Sequence, residues 1–298
     1  MNKRALAGLG LIVFSLVLAT ALANAQVSFG SVRSQAAVSP FAPPWASSFP
    51  SADSQGQNTS TPRLTEEDQA DGRQVSWKRF IPNVLEDQKQ IWLFPKNWFE
   101  GKELVPTAAF VAGTTGMIVL DPYTAPYFRR TNSFNEFNRI VSSRNSVIGM
   151  AAVPLSAYAV GLVRHDSYMQ QTALLAGEAV VDSELLTQVL KGASGRLLPS
   201  YIPPYGNYRN TWFRNHTGPW YTAPGSFPSG HMIAATCVAT VFARRYGRNR
   251  HWVPWVAYGL AGVVGFSRIT LSAHFPSDVF AAAFLGYAIS RYDVLRNQ

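Results

Sequence analysis

The stretch TALLAGEAVVDSELLTQVLK, residues 172–191, decides the fold class. Leu175, Ala179, Leu186 and Leu190 recur one or two helical turns apart, with Glu178, Asp182 and Glu184 between them. That spacing puts the apolar side chains on one face of a helix and the acids around it. Six other apolar runs look helical rather than β-like: residues 84–94, 107–120, 146–163, 231–245, 253–266 and 277–294. Gly and Pro clusters at residues 199–206 and 218–230 punctuate them. The expectation is an all-α domain over residues 76–298, a helical bundle of about six to seven helices.

The segments before that domain read differently. Lys3 and Arg4 precede an almost unbroken apolar stretch, residues 5–21, and Ala23-Asn24-Ala25 then gives a small-x-small pattern before Gln26. This is the pattern of a secretory signal peptide over residues 1–25. A retained membrane anchor is the alternative, because 17 apolar residues nearly reach the length of a span. Both readings export the rest of the chain, to the periplasm or the outer face of the cytoplasmic membrane. Residues 26–75 are rich in Ser, Ala, Pro, Gln and Asp without a period, and read as a disordered linker.

The chain carries 26 Lys and Arg against 17 acids, a net charge of +9. Residues 1–75 are neutral, so the excess belongs to the helical domain, whose bases are mostly Arg. Arg holds phosphate with a fixed fork of donors. An Arg-rich domain suits anionic substrates, anionic lipid headgroups or nucleic acid, with a solvated basic surface as the plainer reading. Cys237 is the single cysteine, which excludes an internal disulfide and a cysteine metal site. Residues 146–163 and 253–266 are apolar but shorter than the roughly 20 residues of a bilayer crossing. They favour a compact, mostly soluble domain, with membrane association open. Trp92, Phe94, Trp98 and Phe99 are either an interfacial cluster or packing aromatics.

Two histidines stand in informative surroundings. In Phe227-Pro228-Ser229-Gly230-His231 a tight turn delivers Ser229, Gly230 and His231 to the start of a helical run. A helix N-terminus presents free N–H groups and a positive dipole end to an anion. In the stretch from Ser267 to Asp278, Pro276 fits only the first turn of a helix. His274 then lies just before that helix and Asp278 inside it. A carboxylate four residues on can reach one imidazole nitrogen, fix the tautomer and leave the other nitrogen free to attack. Arg268 can aim its donors at the same place. His165, His216 and His251 lack such neighbours, and the aromatic residues 201–226 read as a rim.

Pro228-Ser229-Gly230-His231, followed by Ser267-Arg268 with His274 and Asp278, resembles the type 2 phosphatidic acid phosphatases. That family shares its site with vanadium haloperoxidases and bacterial class A acid phosphatases. Its first motif, Lys-x6-Arg-Pro, is imperfect here: Lys191 and Pro199 are present, Leu198 stands at the arginine position, and Arg196 lies two residues before it. The resemblance implies a phosphatase with its active site at one end of the bundle and no nucleic-acid partner. By it, His274 attacks phosphorus to form a phosphohistidine, Asp278 orients it, and His231 protonates the leaving oxygen. Lys191, Arg268, the amides of Ser229 and Gly230, and Arg196 in place of the missing arginine would hold the phosphate oxygens. No metal or cofactor is implied, since cationic side chains take that role. The substrate would be a phosphate monoester, including lipid phosphates and isoprenyl diphosphates. One alternative is a haloperoxidase carrying vanadate, which would otherwise be an inhibitor. The other is a degenerate phosphate- or lipid-binding module, an option that Leu198 keeps open.

Overall fold

The computed structural model describes residues 75–99, 104–214 and 225–296. The expected signal peptide and the linker up to residue 74 lie outside the described residues, as do the side chains of Phe94, Trp98 and Phe99. Among the described residues the chain forms eight α-helices and no strand. They are α1 (Phe80–Phe99), α2 (Leu104–Arg130), α3 (Asn135–Ile140), α4 (Ser143–Val163), α5 (Ser167–Ser194), α6 (Gly230–Gly247), α7 (Trp252–Thr270) and α8 (Pro276–Ala288). A π-helical turn, Ile289–Val294, continues α8.

All seven expected helices are present, and the eighth is the short α3. It holds its place through Asn138, which donates to the Thr270 carbonyl and accepts from the Thr270 hydroxyl at the end of α7. Helix α2 runs ten residues past its expected end, through Pro122 and Pro126. The apolar run ends at residue 120, and each proline beyond it removes a helical hydrogen bond. The extension is tied down instead by side chains. Asp121 is buried against Arg196 and Ser277, while Arg129 and Arg130 donate to the carbonyls of Ser200, Ile202 and Pro204. Helix α5 starts at the Asp166 cap, whose carboxylate accepts from the Met169 amide. It stops at Gly195, where φ is 48°, a left-handed turn that glycine takes without strain.

Helix α6 is the central element, packed against α4, α5, α7 and α8. Toward α7 its inward residues are small. Ala235 and Ala239 meet Ala261 of α7, so the backbones approach closely. The chain alternates direction through α4 to α8. The start of α4, the end of α5, the start of α6, the end of α7 and the start of α8 therefore meet at one end, beside the C-terminal half of α2.

Helices α2 and α4, of 27 and 21 residues, are long and apolar enough to cross a membrane, and few of their side chains are buried. Val111, Val119, Leu155 and Leu162 stand among the exposed ones. Core helices of a soluble bundle would bury such residues. The expectation of a mostly soluble domain therefore does not describe these two helices.

The α6/α8 contact gives a test of packing. A Cβ on Gly286 would stand 2.7 Å from the Ile233 carbonyl oxygen, a backbone atom that cannot swing aside. Gly286→Ala is expected to destabilise the fold by about 1–3 kcal/mol through overpacking. Thermal unfolding in detergent measures it, and an unchanged transition would mean the two helices separate without cost.

Candidate active site

Helix α8 opens as its sequence requires: Phe275 precedes it, Pro276 is its first residue and Asp278 its third. Asp278 is fully buried. Its Oδ1 accepts from Arg196 Nη1 at 2.5 Å, and its Oδ2 accepts from the Phe275 amide at 2.8 Å and from the Ser226 hydroxyl. Burial alone would raise the proton affinity of this carboxyl. The Arg196 charge and the hydrogen bonds outweigh it and hold the group below its ordinary range, so it is ionised.

The predicted nucleophile, His274, is also buried. Its Nδ1 lies 2.7 Å from the Ser226 carbonyl oxygen and 3.8 Å from Asp278 Oδ2. Nδ1–H thus donates to the carbonyl, which leaves Nε2 as the free, basic nitrogen. The sequence points to Asp278 as the direct partner. Ser226 stands between the two instead, giving its carbonyl to His274 and its hydroxyl to Asp278.

The loop that carries Ser226 sits against the end of α5. A Cβ on Gly225 would come 2.8 Å from the Lys191 carbonyl oxygen, so only glycine fits there. Ser194 donates to the Phe227 carbonyl, and the Phe227–Pro228 peptide is cis. Ser229 then caps the start of α6. Its amide donates to the Asp278 carbonyl at 3.2 Å, so this N–H is already engaged. Its buried hydroxyl has no hydrogen-bond partner among the described residues. Gly230 begins the helix, and its Cα faces charge of both signs: a Cβ there would lie 3.2 Å from Glu184 Oε1 and 3.7 Å from Lys191 Nζ. Burial lowers the proton affinity of Lys191, partly restored by Glu184 and Asp278, and burial raises that of Glu184.

His231 follows, with Nε2 3.2 Å from the Ser143 carbonyl at the start of α4. Burial first, and the Arg268 charge second, push its pKa down to about 4, which favours the neutral imidazole at neutral pH. Arg268 is buried behind it. Its Nη1 donates to the Ser143 hydroxyl, its Nη2 to the Val141 carbonyl and the Ser146 hydroxyl, and its Nε to the Ser267 hydroxyl. One Nη1 hydrogen is left over.

Arg196 departs from its predicted role. It is 1% exposed, and its guanidinium donates to Asp278, Asp121, Ser277 and Thr211. It also lies against the rings of Trp212 and Phe275. This guanidinium faces carboxylates rather than an open phosphate pocket. Lys191, Gly230, His231, Arg268, His274 and Asp278 do converge at the shared helix ends. Trp212, expected at the rim, covers Arg196, while Tyr201 and Tyr205 are 63% and 84% exposed. Trp220 and Tyr221 lie outside the described residues.

A cavity of about 600 Å³ opens from this site between α4 and α5. Lys191, Glu184, Gly230 and His231 form its polar end, and Phe80, Met150, Pro154 and Tyr158 line its apolar length.

Four site residues escape the sequence reading: Asp121, Ser143, Glu184 and Ser226. Only Asp121 leaves a signal, as the one acid in the apolar run of α2. Glu184 places a negative charge where an anion would enter. Glu184→Gln is therefore expected to tighten binding of inorganic phosphate by roughly fivefold to tenfold, about 1 kcal/mol for a partly screened charge. Isothermal titration calorimetry reads this, and an unchanged or weaker affinity would contradict it.

Comparison with known proteins follows the same residues. Residues 172–295 match the family model described as the PAP2 superfamily. The lipid A 1-phosphatase of Rhizobium etli is 36% identical over 107 residues, covering 36% of this chain and 42% of that protein. The lipid A 1-phosphatase of Porphyromonas gingivalis is 38% identical over 68 residues, covering 23% of this chain and 15% of that protein. The chain thus spans less than half the length of these relatives. A similar crystal structure is the transmembrane PAP2 type phosphatidylglycerolphosphate phosphatase from Bacillus subtilis. It is 19% identical, covers 71% of this chain and 90% of its own, and has a TM-score of 0.37. Lys191, His231, Arg268, His274 and Asp278 all lie within the residues that match the PAP2 superfamily model, whereas Asp121 and Ser143 lie before them.

Proposed function

We propose that this protein is a phosphatase that hydrolyses lipid phosphate monoesters through a phosphohistidine on His274. The observation that carries the reading is the imidazole of His274, whose Nδ1–H is tied to the Ser226 carbonyl while Nε2 stays free. In the first step Nε2 bonds to phosphorus, the bond from phosphorus to the ester oxygen breaks, and His231 gives that oxygen a proton. In the second, water attacks the phosphorus, His231 takes back a proton, the N–P bond breaks and phosphate leaves.

Charge on the equatorial oxygens would be met by Lys191, the remaining Nη1 hydrogen of Arg268, the Gly230 amide and the unpartnered Ser229 hydroxyl. These groups do the electrostatic work without a divalent cation. As the acid, His231 needs a proton that its surroundings disfavour. Burial is the main cause of its depressed pKa and the Arg268 charge the second; a bound phosphate dianion would offset the second and favour the protonated imidazole.

The lipid part of the reading is supported by the apolar cavity that begins at Lys191 and His231. It would seat a substrate's tail while the phosphate rests at the start of α6. The exposed apolar faces of α2 and α4 suit a chain that crosses the membrane through those helices, with the site on the exported side. Relatives named lipid A 1-phosphatases point to the same substrate class.

A panel of lipid and water-soluble phosphate esters, assayed in excess chelator and with vanadate as inhibitor, tests the reading. Activity is expected in chelator, with preference for lipid esters. Trapping with labelled substrate should place acid-labile phosphate on His274. His274→Ala should lose at least about 10³-fold in kcat. Activity that requires an added divalent cation, or a phosphoenzyme surviving in His274→Ala, would defeat it.

The pH profile supplies a separate check. The acid must be protonated to act, and its free-enzyme pKa is depressed to about 4. On a soluble ester, kcat/KM should therefore fall as pH rises above that value, because it reports the free enzyme. The alkaline limb of kcat, which reports the complex, should lie at higher pH. Coincident limbs would mean that bound phosphate does not raise the proton affinity of His231.

A further inference from the structure

Arg196 and Arg268 are the largest fully buried side chains among the described residues, and the partners of Arg196 link parts of the chain far apart in sequence. Nη1 donates to Asp278 Oδ1 at 2.5 Å and to the Ser277 hydroxyl at 2.7 Å, and Nη2 donates to Asp121 Oδ2 at 2.5 Å. Asp121 in turn accepts from the Ser277 amide at 3.1 Å and from the Ser277 hydroxyl at 2.5 Å, which caps the first turn of α8. Beyond Asp278 the chain of contacts runs to the Ser226 hydroxyl, and the Ser226 carbonyl holds His274. The Ser226 amide closes a ring by donating to the Arg196 carbonyl at 2.8 Å.

We infer that Arg196 and Asp121 are positioning residues for the proposed reaction: they fix Asp278 and Ser226, and through them the tautomer and aim of His274. The inference rests on the phosphatase reading for its kinetic arm. Three features favour positioning over phosphate binding. Four of the five guanidinium hydrogens have protein acceptors. The group is closed off by Trp212 and Phe275. Its charge is matched by two carboxylates, leaving none in excess for a substrate anion. Leu198 at the usual arginine position then does not imply a lost residue. The guanidinium two positions earlier serves the catalytic carboxylate instead of the phosphate. Asp121 brings α2, outside the matched family segment, into the same machinery.

A double-mutant cycle on the full chain in detergent tests this. Arg196→Met, Arg196→Lys and Asp121→Asn are made in wild type and in Asp278→Asn. The readouts are kcat and KM on a phosphate ester, affinity for inorganic phosphate, and the rate at which diethyl pyrocarbonate modifies His274. Arg196→Met should lose about a hundredfold in kcat, the cost of a misplaced reacting group, with phosphate affinity unchanged. Asp121→Asn should lose less, and Arg196→Lys should recover part of the loss. In the Asp278→Asn background none of the three should add a further loss. Losses that multiply there, or a fall in phosphate affinity alongside kcat, overturn the inference. If Arg196→Met does not fold, Arg196→Lys and Asp121→Asn complete the same cycle. If wild type hydrolyses no phosphate ester, the phosphatase reading fails by itself, and the modification rate still decides. His274 in Asp121→Asn must then react as it does in Asp278→Asn, and a wild-type rate refutes the positioning role.

Discussion

Asp278 is an ionised carboxylate with no access to water, and satisfying it organises this end of the molecule. A buried charge is tolerated only when opposite charge and hydrogen bonds replace the water it has lost. Here the replacements come from three connections at once: Arg196 after α5, Ser226 before α6 and the Phe275 amide before α8. Each of those segments must be brought in and held. Gly195 makes this possible by turning the chain out of α5 in a left-handed conformation. Gly225 then lets the returning loop lie directly on the Lys191 backbone. The Ser229 amide closes the arrangement by donating to the Asp278 carbonyl. The geometry at His274 follows from the same requirement, because the residue that satisfies Asp278 with its hydroxyl holds the imidazole with its carbonyl.

A second buried guanidinium, Arg268, does for α4 and α7 what Arg196 does for α5 and α8. It pins the Val141–Ser146 turn with three hydrogen bonds and so places the Ser143 carbonyl beside His231. The two arginines differ in what balances them. Arg196 has two carboxylates in direct contact, whereas the partners of Arg268 are hydroxyls and a carbonyl. The positive charge of Arg268 is thus left uncompensated, and burial brings its pKa down to about 10. That surplus, with Lys191, is the part of the field available to an anion, and it adds to the burial that chiefly depresses His231.

Much of this was legible in the sequence, and the reasons for the rest are physical. Helical periodicity in residues 172–191 and the proline rule at Pro276 depend on neighbours within a turn or two, so both helices form, although Glu178 and Asp182 are buried instead of flanking the apolar face. The turn at residues 228–231 and the spacing from Arg268 to Asp278 are local in the same sense. Partner choice is not local. Asp278 can reach His274 from its helix, but Ser226, 52 residues earlier in the chain, takes up the intervening space. Arg196 was expected to face phosphate because of its place in the motif, yet Asp121 arrives from 75 residues away to claim it. The apolar run stops at residue 120, and only a tertiary anchor at Asp121 shows why the helix continues through Pro122. The two long apolar helices posed a different problem. Apolar sequence is common to a buried core and to a surface facing lipid, and only burial separates the two.

The polar end of the apolar cavity joins these strands. Its wall carries Glu184, Lys191 and His231 around the glycine that starts α6. Glu184 and Lys191 partly offset each other, and burial, then Arg268, favours the neutral form of His231. An anion placed among them would change all three in linked ways. It would favour the charged form of Lys191, oppose that of Glu184 and relieve the depression of His231. Low-polarity surroundings disfavour isolated charge and strengthen the attraction between charges that do meet, so an anion there would act on all three groups strongly. A tail in the cavity would add to this by keeping water from the polar end, so apolar burial and charge stabilisation there reinforce one another.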